Sequence, residues 1–188
     1  EPFETWAGPV SIATGLEWRE EEQVTNVDPQ ANLSLYESTN AKSFRGKFNV
    51  KEAYFETLLP LAADKPFAEA LDLNGAVRFT DYSTSGEVTT WKVGATWRPV
   101  GQLLLRGAYS RDIRAPNLYE LYTPPVSTVV NIRYQNAQPA VETLTGGNIN
   151  LKPEKSTTKT FGFSWSPSFA SLQWSVDYFD INIEGAIA

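Results

Sequence analysis

A period of two in side-chain polarity is the feature that most constrains the fold of this chain. In the clearest segment, residues 155–166, Phe161, Phe163 and Trp165 alternate with side chains that are small or hydroxylated. Because successive side chains of a β-strand point to opposite faces, this pattern predicts a strand with one apolar and one polar face. Similar β-rich patterns predict six further strands, at residues 10–19, 48–59, 71–80, 87–98, 102–110 and 172–183.

The last of these segments changes phase along its length. Its apolar residues occupy even positions up to Tyr178 and odd positions from Phe179 onward. An extra residue in one strand of a pair changes the parity in this way, so the sequence predicts a β-bulge near Phe179.

The composition excludes several classes of function. The chain of 188 residues has no Cys and no His, which excludes metal sites built on these residues, disulfide bonds and His-based catalytic triads. Its formal net charge of -6 argues against a nucleic-acid partner, because such proteins usually present a basic face. No nucleophile and base are recognisable together, so we expect neither an enzyme nor a bound cofactor or metal. The acidic run within residues 17–22 is interpreted as a solvated loop rather than a cation site.

The connections between the predicted strands sort by parity. Numbered along the chain, the first (residues 20–47) and the fifth (residues 112–154) are long, whereas the fourth (residues 99–101) and the sixth (residues 167–170) are short and contain proline. In an antiparallel meander, odd-numbered connections share one end of the sheet and even-numbered connections the other. Long loops at one end and short turns at the other are typical of outer-membrane barrels.

A soluble antiparallel sandwich shows the same alternation, with its apolar face as a core. Three observations favour a membrane barrel: the sorting of the loops, polar faces rich in Ser, Thr, Gly and Arg, and aromatic residues near strand ends. A secreted β-sandwich that binds carbohydrate and a small eight-stranded outer-membrane barrel remain the alternatives. The aromatic residues near strand ends are Trp18, Trp97, Tyr109, Trp165 and Tyr178.

Two motifs carry a resemblance to the TonB-dependent outer-membrane receptors. Residues 110–122 read SRDIRAPNLYELY, which resembles the family signature FRAPxLxEL, and residues 147–156 read GNINLKPEKS, which resembles GNPxLKPEKS. Residues 48–60 are similar to a family strand that enters a periplasmic turn. The chain departs from the signatures at Ile113, which replaces the usual Phe, and at Ile149, which replaces the usual Pro.

The resemblance implies a 22-stranded barrel with an N-terminal plug, located in the outer membrane of a Gram-negative bacterium. Such receptors take up scarce ligands of the siderophore, cobalamin or glycan class and are driven by TonB, which pulls on the plug. Strands of about 9–11 residues make 22 strands longer than this chain. We therefore expect residues 1–188 to be a partial barrel domain that lacks the plug and the remaining strands, with long extracellular loops at residues 20–47 and 112–154.

The expected partners follow from the same resemblance. They are a small-molecule or glycan ligand, the lipid of the outer membrane, and the TonB complex acting through the plug. A section of barrel wall has open edges and an exposed apolar face. In isolation we expect it to curl or pair into a sandwich-like object and to self-associate.

The resemblance also implies structural roles for the residues of the two motifs. Arg114 and Glu120 are expected to brace the long loop against the barrel wall, and Pro116 is expected to fix its turn. Ten residues receive such a structural role: Arg114, Ala115, Pro116, Leu118, Glu120, Leu121, Asn148, Leu151, Pro153 and Glu154.

Polar and aromatic residues of the fifth connection are candidate ligand contacts. One group lies in the first motif and is placed to face the vestibule, where guanidinium and aromatic groups suit an anionic or aromatic ligand. The other group lies in a stretch suited to vary with the ligand and offers hydrogen bonds to a glycan or chelate. The eight candidates are Arg111, Arg114, Tyr119, Tyr122, Arg133, Tyr134, Gln135 and Asn136.

Overall fold

The chain folds into an open antiparallel sheet with a small hairpin beside it; the computed structural model describes residues 3–37, 40–135 and 137–187. Within these residues two short helices, α1 (Pro29–Asn32) and α2 (Leu118–Tyr122), lie in the two longest connections. No helix in the described part of the chain is long and apolar enough to cross a membrane. The strands are β1 (Phe3–Thr5), β2 (Gly8–Thr25), β3 (Phe44–Lys65), β4 (Ala68–Tyr82), β5 (Gly86–Val100), β6 (Leu103–Arg114), β7 (Val126–Asn131), β8 (Ala140–Thr145), β9 (Glu154–Trp165) and β10 (Trp174–Glu184).

The main sheet is a meander, which confirms the predicted all-β, antiparallel up-and-down fold. Its order over the described residues is β1-β2-β3-β4-β5-β6-β9-β10, and each strand pairs antiparallel with the next. The sheet is not closed within the described residues, so β1 and β10 are its edges. Each of the seven predicted strands corresponds to one long strand of this sheet.

Three strands escaped the sequence analysis. β1 has three residues, too few to display an alternation. β7 and β8 pair with each other inside the fifth connection, and the sequence of β7, VSTVVN, has no strict polar–apolar period. A predicted sheet of about seven strands is therefore an observed sheet of eight with an added hairpin in the described residues.

The first connection is shorter than expected, because β2 and β3 continue as a paired ribbon. It spans residues 26–43 instead of 20–47. The acidic run belongs to β2 and pairs with bases on β3: Glu20 with Lys47 at 3.6 Å, and Glu22 with Arg45. Opposite charges across a strand pair stabilise the ribbon, so the prediction of a solvated loop at the acidic run is wrong.

The predicted bulge near Phe179 is also wrong. The register between β10 and β9 runs without a break from Trp174 opposite Trp165 to Glu184 opposite Lys155. The phase change therefore reflects a change in which face is apolar along β10, not an inserted residue. A register shift does occur in β3 between Pro60 and Ala62, where proline has no N–H to donate to the ladder.

The register defines two faces of the main sheet, because directly opposite residues share a face. Trp97 lies opposite Leu71 and Leu105 on the apolar face. The polar face carries Arg78 and Arg106. Large side chains exposed on the apolar face include Leu16, Phe55, Phe79, Val93, Trp97, Tyr109, Phe161, Trp165 and Tyr178.

A buried apolar cluster lies on the polar face, at the end of the sheet where the first and fifth connections lie. We call this end the long-loop end and the opposite end the short-turn end. Phe48 and Val50 of β3 and Tyr82 of β4 meet Leu118 and Leu121 of α2 in the cluster. The short helix α2 therefore covers the part of β3 at the long-loop end and gives this end of the sheet a small core of its own.

Candidate functional site at the long-loop end

Local sequence explains why α2 forms directly after β6. Asn117 caps the helix: its side-chain oxygen accepts from the backbone N–H of Glu120 at 2.8 Å, and the Glu120 carboxylate accepts from the N–H of Asn117 at 2.8 Å. This reciprocal capping box satisfies backbone donors at the helix start. Leu118 and Leu121 are three apart and so share the buried side of the helix.

Aromatic residues of α2 attach it to β3. The Tyr122 hydroxyl donates to the carbonyl oxygen of Lys47 at 2.9 Å. Its ring lies over Gly46, where any Cβ would overlap ring atoms, so this position requires glycine. The Tyr119 ring packs edge-on against Phe44, with ring centroids 6.1 Å apart. The first and fifth connections are thereby joined at their bases.

The position of α2 also requires an extended connection from β6. The helix follows β6 in sequence but packs on β3, three strands away. At about 4.8 Å per strand, β3 and β6 are about 14 Å apart along the sheet. The step from Arg114 to Leu118 reaches at most about 14 Å when extended. A fully extended connector is therefore just long enough to span this distance.

Arg114 joins the two motifs at the last pair of the β6–β9 ladder. Its Nη1 donates to both carboxylate oxygens of Glu120, at 2.9 and 3.1 Å. Its Nε and Nη2 donate to the two oxygens of Glu154, at 3.0 and 2.8 Å. We call these three residues the arginine clasp. The hydrogen bonds from Arg114 lower the pKa of Glu154 to about 2, and the two carboxylates raise the pKa of Arg114.

Glu154 has a further partner beyond β10. Its Oε1 also accepts from the backbone N–H of Ile187 at 2.6 Å. The Glu154 side chain is 15% exposed, so these charge-assisted bonds are partly shielded from water. The clasp therefore holds α2, the start of β9 and the segment after β10 at one point.

The second motif closes the base of the fifth connection through its backbone. The N–H of Gly147 donates to the carbonyl of Thr123 at 2.7 Å, and the N–H of Asn148 donates to the carbonyl of Glu120 at 2.8 Å. Leu151 packs against the buried cluster, as does Ala115 from the first motif. Of the remaining motif residues, Pro116 is fully buried and Pro153 is half-buried.

The candidate ligand contacts of the first motif separate into different environments. Arg111 lies opposite Trp91 and Thr157, which places it on the apolar face, away from Arg114. The expectation that Arg111 faces the vestibule together with Arg114 is therefore wrong, because residues three apart in a strand point to opposite faces. Tyr122 is held against β3 by its hydrogen bond to Lys47, whereas Tyr119 is 60% exposed.

The second group of candidates lies at the far end of the β7–β8 hairpin. Arg133, Tyr134 and Gln135 are exposed there, and Asn136 lies outside the described residues. Tyr134 pairs with Ala137, and Gln135 has a left-handed backbone, as a tight turn requires. Six residues of strand at about 3.4 Å each place this tip about 20 Å from the base of the hairpin.

A cavity of about 540 Å³ lies between α2 and the base of the hairpin. Its lining offers hydroxyl and amide groups from Thr123 and Asn148, the ring of Tyr119, and apolar surface from Leu151 and Ile187. The fifth connection therefore leaves room for a small group beside its motifs.

One polar network on the polar face escaped the sequence analysis. The Glu52 carboxylate, 6% exposed, accepts from Arg19 at 3.1 Å, from Arg78 at 3.4 Å and from the Thr80 hydroxyl at 3.0 Å. A buried carboxylate is stable when cations and hydroxyls surround it in this way. The available signal was the parity of Glu52 within β3, but mixed polarity in residues 48–59 hid the two faces.

Comparison with known proteins agrees with this architecture. The family model "TonB dependent receptor-like, beta-barrel" matches residues 2–188. The vitamin B12 transporter BtuB of Vibrio cholerae is 23% identical over 177 residues, which is 94% of this chain and 22% of the transporter. The chain thus spans less than a quarter of the length of this relative.

Solved structures show the same fold. The siderophore receptor PirA from Acinetobacter baumannii superimposes with a TM-score of 0.74 at 23% identity, over 97% of this chain and 25% of that one. A mutant of the ferric enterobactin receptor PfeA from Pseudomonas aeruginosa, in complex with enterobactin, gives 0.73 at 19% identity, over 97% and 25%. Because the family model covers almost the whole chain and the open meander matches a section of these barrels, the chain belongs to the TonB-dependent receptor family and forms part of its β-barrel.

Proposed function

We propose that the chain is a section of barrel wall in a TonB-dependent receptor that takes up a siderophore or a cobalamin across the outer membrane of a Gram-negative bacterium. The observation that carries this proposal is a strand meander with one exposed apolar face and with its long connections gathered at one end. The similar proteins are a vitamin B12 transporter and receptors for siderophores. The proposed role is transport, without catalysis.

The apolar face supplies the surface that such a barrel presents to lipid. On β6 this face is apolar from Leu103 to Tyr109 and then carries Arg111. On neighbouring β9, Lys159 lies opposite Tyr109 and Lys155 lies opposite Ile113, on the same face. We therefore place the extracellular surface of the membrane just beyond Tyr109, with the clasp and both long connections outside it.

Aromatic residues at the short-turn end suit the periplasmic boundary. The indole N–H of Trp6 donates to the carbonyl of Leu61 at 2.7 Å, and that of Trp97 donates to the carbonyl of Phe67 at 2.9 Å. Indole rings with one polar bond and an exposed apolar body prefer the interface between lipid and water. The tight turn between β3 and β4 is thereby held at this level.

Ligand contact is proposed for the exposed residues of the fifth connection. Arg133, Tyr134 and Gln135 at the hairpin tip offer a cation, an aromatic ring and an amide, and Asn136 adds a second amide to this set. Tyr119 offers a further exposed ring beside the cavity at the hairpin base. The proposed partner for energy is TonB, acting through a plug elsewhere in the receptor.

The test uses the receptor that contains this chain, produced in a Gram-negative host deprived of its own receptors for the probes. Uptake of radioactive ferric enterobactin and of labelled vitamin B12 is measured with and without TonB. We expect TonB-dependent uptake of one probe. Uptake of neither probe, or uptake that persists without TonB, would refute the proposal.

The contact residues are tested in the same assay. We expect the combined change Arg133→Ala, Tyr134→Ala and Gln135→Ala to raise the apparent Kd of the accepted probe at least about tenfold, since hydrogen bonds to a ligand contribute at this scale. Val129→Thr, exposed on the same hairpin, serves as the matched control. An unchanged Kd in the triple variant at equal surface abundance would remove the tip from the binding site.

A further inference from the structure

The bases of three extracellular connections meet at α2 and the arginine clasp. Helix α2 contacts the start of β3, directly after the first connection, through the Phe44–Tyr119 ring contact and the Tyr122 hydrogen bond to Lys47. The fifth connection closes on the clasp through Asn148, whose N–H donates to the carbonyl of Glu120. The segment after β10 is held by the bond from Ile187 to Glu154. The three connections share no β-ladder with one another in the described residues.

We propose that Arg114 and Glu154 are positioning residues for ligand capture, which hold these three connections in one fixed arrangement at the rim of the barrel. The inference rests on the proposed receptor function and extends it, because neither residue needs to touch the ligand. Fixing loops before binding lowers the entropy lost on binding, so the clasp raises affinity. The hairpin tip lies about 20 Å from the base of the hairpin, so its position depends strongly on a fixed base.

The geometry of the guanidinium explains why arginine occupies this position. The Nε–Nη2 edge of the guanidinium donates to the two oxygens of Glu154, while Nη1 donates to both oxygens of Glu120. A lysine ammonium keeps the charge but cannot reproduce this bidentate contact with Glu154 while it also binds Glu120 in a second fixed direction. Arg114→Lys therefore separates the loss of geometry from the loss of charge.

The same strand supplies a matched control. Arg106 also lies on the polar face of β6 and binds a carboxylate through two nitrogens, with Asp177 at 2.8 and 2.5 Å. It joins β6 to β10 across β9, strands whose backbones are already paired. Arg106→Lys removes a comparable two-nitrogen contact with a carboxylate, keeps the charge and releases no connection.

The first experiment needs no ligand. Spin labels are attached to Leu33→Cys in the first connection and Val129→Cys in the hairpin, both exposed positions, in the purified receptor. We expect a narrow distribution of label distances in the parent and in Arg106→Lys, and a broad one in Arg114→Lys and Glu154→Gln. Equal widths in all four proteins would overturn the inference, whatever the receptor transports.

The second experiment measures binding and uptake separately, with ferric enterobactin and vitamin B12 as probes. We expect Arg114→Lys to raise the Kd of the accepted probe about tenfold and to leave the maximal uptake rate per receptor unchanged. A purely structural role would lower surface abundance without changing the Kd, and that result would contradict the inference. If neither probe binds the parent, the proposed function fails, while the distance measurement still decides the inference.

Discussion

Two arginines on the same face of β6 make similar bonds and have different consequences. Arg106 binds Asp177 near the short-turn end, where its Nη1 and Nη2 also donate to Ser164 and Ser175 at 3.0 and 2.9 Å. Arg114 binds two carboxylates at the long-loop end. Around Arg106 the backbone ladders already fix every partner, whereas around Arg114 the partners lie at and beyond the last paired residue.

The surroundings of the two arginines sharpen this difference. Beside Arg114 a buried cluster attaches α2 to β3, and the clasp works together with it. Beside Arg106, Gly162 leaves space for the Asp177 carboxylate, which a Cβ would overlap. An ion pair between strands that backbone hydrogen bonds already join adds little order. An ion pair between segments without such bonds determines where those segments lie.

The largest expected effect is the release of α2 by Leu121→Ala. This side chain is 3% exposed within the buried cluster, so its truncation costs about 2–4 kcal/mol. Amide hydrogen exchange of residues 115–123 in the intact receptor should become at least about 30-fold faster.

Leu16→Ala is the control, because Leu16 is 87% exposed on the apolar face. In Leu16→Ala, amide hydrogen exchange of residues 115–123 should proceed at the rate of the parent protein. Unchanged exchange in Leu121→Ala would show that the clasp alone holds α2.

A second, smaller effect compares two glycines. Gly46→Ala forces the Tyr122 ring off β3, and overpacking of this kind costs about 1–3 kcal/mol. Gly162→Ala displaces Asp177 from Arg106 instead. We expect residues 115–123 to exchange about 5- to 160-fold faster in Gly46→Ala and at the parent rate in Gly162→Ala. Equal acceleration in both would mean that the two ends of the sheet are coupled.

The sequence predicted those features that local alternation records. β5, at Gly86–Val100, was expected at residues 87–98 because Trp91, Val93 and Trp97 alternate cleanly with polar residues. The parts of β2 and β3 at the long-loop end were missed because residues 20–22 of β2 are three consecutive Glu, and Arg45 and Lys47 of β3 occupy the apolar face, so no polar–apolar pattern marks these ends. Their pairing across strands appears only when the ribbon forms.

The site was predictable in its residues but not in its arrangement. The two motifs named Arg114, Glu120 and Glu154, yet 40 residues separate Arg114 from Glu154, and only the fold makes them neighbours. Arg111 was misplaced because the strand was expected to end at residue 110. Had β6 been extended to Arg114, parity would have placed Arg111 on the other face.

The smallest effect expected is a loosening of the long-loop end in acid. The Arg114 hydrogen bonds lower the pKa of Glu154 to about 2 from an ordinary value of 4.5. A carboxyl with a lowered pKa stabilises the fold above its ordinary pKa and loses that contribution as pH falls through the lowered value. Protection of residues 115–123, corrected for intrinsic exchange, should therefore fall between pH 4.5 and pH 2, by less than about tenfold because the clasp is partly exposed. The same receptor with Arg114→Ala should start from lower protection and lack this fall, since Glu154 then titrates without its partner. An equal fall in both proteins would assign the acid response to a different carboxylate and leave the clasp without a part in it.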